Sequence, residues 1–296
     1  MADVISNKYD FIVLFDVMNG NPNGDPDAGN MPRVDAETGI GIVTDVCLKR
    51  KIRNYVTAWA EITGNAEGHR IYIQEKVPLN QVDKEALKYI GVDDIKEINK
   101  TEKDIDSKIC RYMCDNFYDI RTFGAVMTTF VTGALNCGQV RGPVQFGFAH
   151  SIDEIVPQEI SITRLAITKE EDAEKKRNEF GRKYIVPYGL YQVEGYISAN
   201  LAKKTGFTED DLDLLWKAII NMFEDDHSAA RGNMSVRKLI VFKHDSIMGN
   251  APSYKLFELV HVQKKEGVVV PRAFGDYEIT VDEEHLPAGV QIEQKI

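Results

Sequence analysis

The segment from Tyr9 to Val17 sets the tightest limit on the fold. Tyr9, Phe11, Val13, Phe15 and Val17 line one side of an extended chain, and Ile12 and Leu14 line the other. A strand apolar on both faces needs a layer on each, so it belongs at the centre of a sheet. Elements that pair with it or cover it follow. The spacing of apolar residues predicts helices from Thr44 to Trp59 and from Thr208 to about Phe223. Alternation predicts strands through Val144, Phe146 and Phe148, from Tyr184 to Ser198 and from Val236 to Lys243. Tyr254–Val262 and Tyr277–Val281 read as further strands, and Ile155–Ile167 as extended chain. Reduced to order, this is strand, helix, strand, strand, helix, strand. That is an α+β chain with a ferredoxin-like, RNA-recognition-type core. It reads as a single domain over residues 1–296 with insertions at about 61–140 and 151–183.

Between the first strand and the first helix lies a long loop, Asn19-Gly20-Asn21-Pro22-Asn23-Gly24-Asp25-Pro26-Asp27-Ala28-Gly29-Asn30-Met31-Pro32-Arg33. Gly, Pro, Asn and Asp build turns and tolerate unusual backbone angles. Thr44 suits an N-cap and Asp45 the first turn of the helix beyond. Leu48, Ile52, Tyr55, Val56 and Trp59 form its apolar stripe. Lys49, Arg50, Arg53 and Asn54 fall on the opposite side at 100° per residue. A solvated charged face would explain those cations. Their position beside a glycine- and asparagine-rich loop equally suits phosphate contacts.

In the first insertion, polar helices are expected over Asp83–Tyr89 and Asp104–Phe117, the latter with Ile105, Ile109, Tyr112, Met113 and Phe117 as its stripe. Thr122–Leu135 fits helix or strand. The run Thr168–Lys183 is the most polar part of the chain and reads as a protruding segment.

The formal net charge of −10 argues against binding nucleic acid by bulk charge. Any such interface must come from local segregation, and Thr44–Thr57 carries four cations against one anion. The acidic blocks at Glu209–Asp211, Glu224–Asp226 and Asp282–Glu284 read as solvated faces. No signal peptide or membrane-spanning apolar run is present, so no membrane partner is expected. Cys47, Cys110, Cys114 and Cys137 lack a histidine at zinc spacing and read as reduced structural thiols.

The first strand, the Asn-Gly loop, Met31-Pro32-Arg33-Val34-Asp35 and Val43-Thr44-Asp45-Val46-Cys47-Leu48-Lys49-Arg50-Lys51-Ile52-Arg53 together resemble the repeated backbone subunit of CRISPR type I Cascade complexes. The similarity is greatest to type I-C, within the RAMP superfamily. Asp119-Ile120-Arg121-Thr122-Phe123-Gly124-Ala125-Val126-Met127 and Gly142-Pro143-Val144-Gln145-Phe146 extend the match. The resemblance implies a palm core with a helical finger insertion and a thumb-like insertion. It implies a prokaryotic cytoplasmic, non-catalytic subunit that binds a CRISPR guide RNA and oligomerises with copies of itself. Its other partners would be further Cascade subunits and single-stranded target DNA. The residues singled out for RNA are Asn21, Gly24, Arg33, Lys49, Arg50 and Arg53, with Arg141 and Arg231 from later turns. No cofactor is expected.

A second reading is a metal-dependent ribonuclease on the same fold. Asp25, Asp27 and Asp35, with Asp16, would supply carboxylates for a hard cation. Aspartate next to Pro or Gly is also ordinary turn chemistry. None of the six histidines has a neighbour at metal or triad spacing, and no GxxxxGK[ST] phosphate loop occurs.

Overall fold

The structure, a computed structural model, describes residues 2–92, 104–127, 130, 137–164 and 179–296. In chain order the elements are β1 (Tyr9–Gly20), β2 (Gly24–Asp25), β3 (Met31–Pro32), β4 (Ile40–Val43), α1 (Asp45–Thr63), α2 (Leu79–Tyr89), α3 (Ile105–Asn116), α4 (Tyr118–Phe123), β5 (Gly124–Val126), β6 (Gln139–Arg141), β7 (Val144–Phe146), β8 (Ala149–Glu154), β9 (Gln158–Arg164) and β10 (Glu179–Ile197). They continue with α5 (Ala199–Thr205), α6 (Glu209–Asn221), β11 (Asn233–His244), α7 (Ser253–Phe257), β12 (Val260–Lys264), β13 (Tyr277–Val281) and β14 (Val290–Gln294).

β1 sits where its two apolar faces require. It runs antiparallel between β10 and β11, with Phe11 opposite Gly195 on one side and Val241 on the other. The path across the sheet is β14, β11, β1, β10, β8, β4, and β7 and β9 also pair with β10. Tyr9, Phe11, Val13, Phe15 and Val17 pack against α1, α5 and α6, through Leu48, Ile52, Val56, Ala202, Leu215 and Ile219 among others. Ile12 and Leu14 face a second layer built from α7 and the β12–β13 hairpin, including Leu256, Phe257, Val260 and Tyr277. The central sheet is therefore antiparallel and covered on both sides.

Helix ends follow local chemistry. Thr44 caps α1 by accepting from the Cys47 amide at 3.3 Å, and Gly64 ends it with a left-handed φ of 70°. Thr208 and Asp211 form a reciprocal capping box on α6. Asp211 is buried rather than solvated, because the Arg121 guanidinium grips it with two hydrogen bonds of 2.9 and 2.7 Å. A reading of Glu209–Asp211 as a solvated face fails at that residue.

α2, α3 and α4 share their own core, centred on Tyr72, Ile109, Met113, Phe117 and Ile120. The ambiguous Thr122–Leu135 segment turns from helix to strand at Gly124, whose φ is 77°. The rest of that segment, apart from Met127 and Phe130, lies outside the described residues. So does most of Thr168–Lys183. Its last residues, 179–183, belong to β10 and pair with β9.

Tyr254–Val262 is not one strand. Pro252 precedes the short helix α7, and a strand begins only at Val260. The adjacent Leu256 and Phe257 both enter one core, which a strand would prevent by sending them to opposite faces. The alternation through Phe148 also stops early. Gly147 breaks it by donating to the Glu194 carbonyl at 2.9 Å, and Phe148 is exposed. Several elements, among them β4, α4, β8, α5 and β14, had no counterpart in the sequence reading.

Candidate nucleic-acid interface

The loop after β1 is tightly built. Asn19 adopts a φ of 53°, and the Asn21 amide donates to the Ala230 carbonyl at 2.8 Å. A Cβ on Gly20 would collide with the Arg231 backbone, and one on Gly232 with the Asn19 backbone. Glycine is thus required where the β1 loop crosses the loop that leads into β11. A Cβ on Gly24 would meet the end of the Asn30 side chain, which can turn aside.

Asn23 ties the loop to the helix. Its Oδ1 accepts from both the amide and the hydroxyl of Thr44 at 3.0 Å. Around this junction opens a cleft of about 620 Å³. Asn21–Gly24 and Asn30 form one wall and the first turns of α1 another, with Thr44, Val46, Arg50, Lys51 and Asn54. Glu75 and the Asp226–Arg231 loop close the remainder.

Of the residues singled out in the sequence, Asn21, Gly24, Arg50 and Arg231 meet here. Arg50 reaches the Ile73 carbonyl at 3.4 Å and the exposed Glu75 at 3.3 Å. Such an exposed pair is weak and exchangeable. Arg231, also exposed, pairs with Asp226 at 2.8 Å. Lys51, which the sequence pattern did not single out, is buried and ion-pairs with the other oxygen of Asp226. The cleft therefore gathers three cations around two carboxylates. Asp226 was the harder miss: nothing in the block Glu224–Asp226 signals that its last residue turns inward.

Other candidates stand elsewhere. Arg53 is buried, its Nε 2.8 Å from Asp119, which also accepts the Tyr72 and Ile73 amides at 2.8 and 3.1 Å. It is a strut between α1 and the helical insertion and not part of an exposed cationic face. Lys49 is held by Asp45 at 3.0 Å and Gln145 at 3.1 Å, beside the Phe123 ring. Arg33 pairs with Asp25 at 3.3 Å, while its buried Nε has no partner among the described residues. Arg141 is exposed on β6 and lines a separate cleft of about 360 Å³ with Lys8, Gln145 and Tyr196.

The loop aspartates act as turn acceptors. Asp25 Oδ1 accepts the Asp27 amide at 3.1 Å and Asp35 Oδ1 the Glu37 amide at 2.9 Å. The Glu37 amide and the Thr38 side chain hold the Asp35 carboxyl below its usual range. Asp16 is buried between Arg237 at 2.9 Å and the Tyr188 hydroxyl at 3.3 Å. Among the described residues, no three His, Cys, Asp or Glu side chains are grouped to hold a metal ion. His244 is fully buried and 2.8 Å from Asp10, a contact no sequence spacing could reveal across 234 positions. Burial pushes the Asp10 carboxyl up, but hydrogen bonds from His244, Lys8 and Ser253 outweigh it and leave its pKa lowered. Ser253 bonds Asp10 and not the imidazole, so this group is a structural lock on β1, β11 and α7.

Fold and cleft together define an α+β protein with a polar, locally cationic groove at one end of its central strand. The chain belongs to the family of the CRISPR-associated protein Cas7, whose model matches residues 7–282. A CRISPR-associated protein Cas7 of Haloferax volcanii is 27% identical over 241 residues, covering 73% of this chain and 65% of that protein. This chain thus aligns with just under two thirds of that relative's length. A chain of a CRISPR RNA-guided surveillance complex in a pre-nicking state superposes with a TM-score of 0.48, at 14% identity, over 79% of this chain and 78% of that one. Another surveillance complex gives 0.42 at 14% identity, over 79% and 68%. Among the described residues no helix is long and apolar enough to cross a membrane.

Proposed function

We propose that this chain is a non-catalytic backbone subunit of a Cascade surveillance complex, most similar to type I-C, that coats a CRISPR guide RNA in the prokaryotic cytoplasm. It would line up with copies of itself and with other Cascade subunits, and present the guide to single-stranded target DNA. In such systems base pairing reads the sequence, so the protein needs contacts to the backbone rather than to bases. The observation that carries this reading is the cleft between the β1 loop and α1. Arg50, Lys51 and Arg231 stand there beside the loop residues Asn23, Gly24 and Asn30, in a chain that is otherwise strongly acidic.

The strand order supports an RNA-recognition-type palm. With β7 and β8 as the second strand, β11, β1, β10 and β7/β8 follow the 4-1-3-2 arrangement of a ferredoxin-like sheet. The separate core of α2, α3 and α4 supports a finger insertion over about 61–140. The β9–β10 ribbon supports a thumb within 151–183. The sheet face that stacks bases in an RNA-recognition domain is covered here by α7 and the β12–β13 hairpin, which favours the cleft as the RNA path.

The test is titration of RNA against Arg50→Ala/Arg231→Ala over a range of salt. Affinity should fall for every RNA sequence, and the salt slope should flatten by about 0.7 for each phosphate no longer neutralised. Parent-like affinity and slope would rule the cleft out. Running the same mixtures with magnesium or manganese on a denaturing gel reports on chemistry. Cleavage abolished by Asp25→Ala, Asp27→Ala or Asp35→Ala would replace the scaffold with a nuclease.

A further inference from the structure

Cys110 and Cys137 meet inside the helical insertion, 27 residues apart in the chain. Cys110 stands on α3, and Cys137 lies just before β6. The Cys110 thiol donates to the Cys137 carbonyl at 3.5 Å. The Cys137 thiol in turn hydrogen-bonds Cys110, and the Asp106 carboxylate, one turn back on α3, hydrogen-bonds Cys137. Both cysteines are free.

The two thiols are unequal. Cys110 is partly exposed and Cys137 is buried. The hydrogen bond from Cys137 holds the Cys110 thiol below its usual range, against burial and the nearby Asp106 charge. The same bond, together with burial, pushes the Cys137 thiol up. Cys110 is therefore the first of the pair to become a thiolate, the form that attacks a disulfide. The remaining cysteines differ. Burial pushes the Cys114 thiol up to about 12 and raises that of Cys47.

We propose that Cys110 and Cys137 form a reversible redox site, which reacts with a small disulfide such as oxidised glutathione and closes an internal disulfide bond. The Cys110 thiolate attacks one sulfur of the small disulfide. Its S–S bond breaks, one small thiolate leaves, and a mixed disulfide remains on Cys110. Cys137 then attacks the Cys110 sulfur, with Asp106 placed to take its proton, and the second small thiolate leaves. The two protons given up by the cysteines end on the two departing thiolates. Two protein thiols are thus oxidised by two electrons, and one small disulfide is reduced to two thiols. The new bond closes a covalent loop over residues 110–137. That loop contains Asp119 and Arg121, which fasten the insertion to α1 and α6. Oxidation therefore stiffens the insertion, and this holds whether or not the cleft is the RNA path.

The test is to incubate the reduced full chain with oxidised glutathione, alkylate the remaining thiols, and measure intact and peptide masses. The parent should lose two of its four alkylatable thiols, retain no glutathione, and yield a peptide pair joined through Cys110 and Cys137. Cys137→Ser should stop at a glutathione adduct on Cys110, and Cys110→Ser should leave Cys137 free to alkylate. Four alkylated thiols in the parent, a lasting glutathione adduct on it, or a bond through Cys114 overturns the proposal, even where a variant does not fold. Hydrogen exchange in α3 and β6 should slow on oxidation and recover with dithiothreitol. Unchanged exchange overturns the stiffening role. Loss or retention of RNA binding by cleft variants bears on neither measurement.

Discussion

Arg50 and Arg53 are three residues apart on one helix and do opposite work. Arg53 is buried against Asp119, whose carboxylate also holds two backbone amides. Arg50 stays half-exposed at the cleft. Arg53→Ala should cost about 3–5 kcal/mol, because it leaves Asp119 buried and unpaired. Arg50→Ala should stay within about 0.5 kcal/mol of the parent, as exposed pairs do. Urea unfolding measures both, and equal midpoints for the two variants would contradict the assignment. A helical wheel cannot make this distinction. It puts both arginines away from the apolar stripe, and the burying partner is supplied 66 residues later by α4. The same limit hid the burial of Asp211, Asp226 and His244, because the partners that bury them, Arg121, Lys51 and Asp10, are remote in sequence. Cap residues such as Thr44 and Thr208 were legible because their partners lie three positions on.

Among the elements, β1 was the most legible and also carries the closest packing. Opposite Phe11, Gly195 leaves room for the aromatic ring, which lies where a Cβ would stand. Phe11 also makes edge contacts with Phe146 and Trp216, at 5.3 Å between ring centroids in each case. The ring has no free side to move into. Gly195→Ala should therefore destabilise the protein by about 1–3 kcal/mol, although alanine is ordinarily the better strand residue. Thermal unfolding checks the sign, and a rise in melting temperature would show that the ring can shift. Elements with short or mixed patterns were read less well. α7 has five residues, too few for helical spacing to stand out from alternation, and its identity comes from the core it joins.

At the scale of the whole molecule, two cores share the sheet, and a third lies within the helical insertion. The insertion meets the rest through polar struts, Arg53–Asp119 and Arg121–Asp211, through the Tyr118 hydroxyl, which donates to the Asp211 carbonyl at 3.1 Å, and through Ile71, Tyr118 and Phe123, which join the core under the sheet. Ile109→Ala, inside the insertion's core, should raise hydrogen exchange in α2 and α3 and leave the amides of β1 protected. Equal deprotection of β1 would mean that the cores open as one unit. The sequence set this insertion apart through its change of texture, but the struts that fasten it could not be read from spacing. The placement of β1 has a consequence for synthesis. Its neighbours in the sheet, β10 and β11, leave the ribosome about 180 to 230 residues after it. At translation speeds of about 5–20 residues per second, this doubly apolar segment waits roughly 10 to 35 s for its first partner and up to about 45 s for both. A strand apolar on both faces is thus made well before the strands that shelter it, so the rate of production, and the chaperones that hold nascent chains, bear on how much of it reaches the folded state.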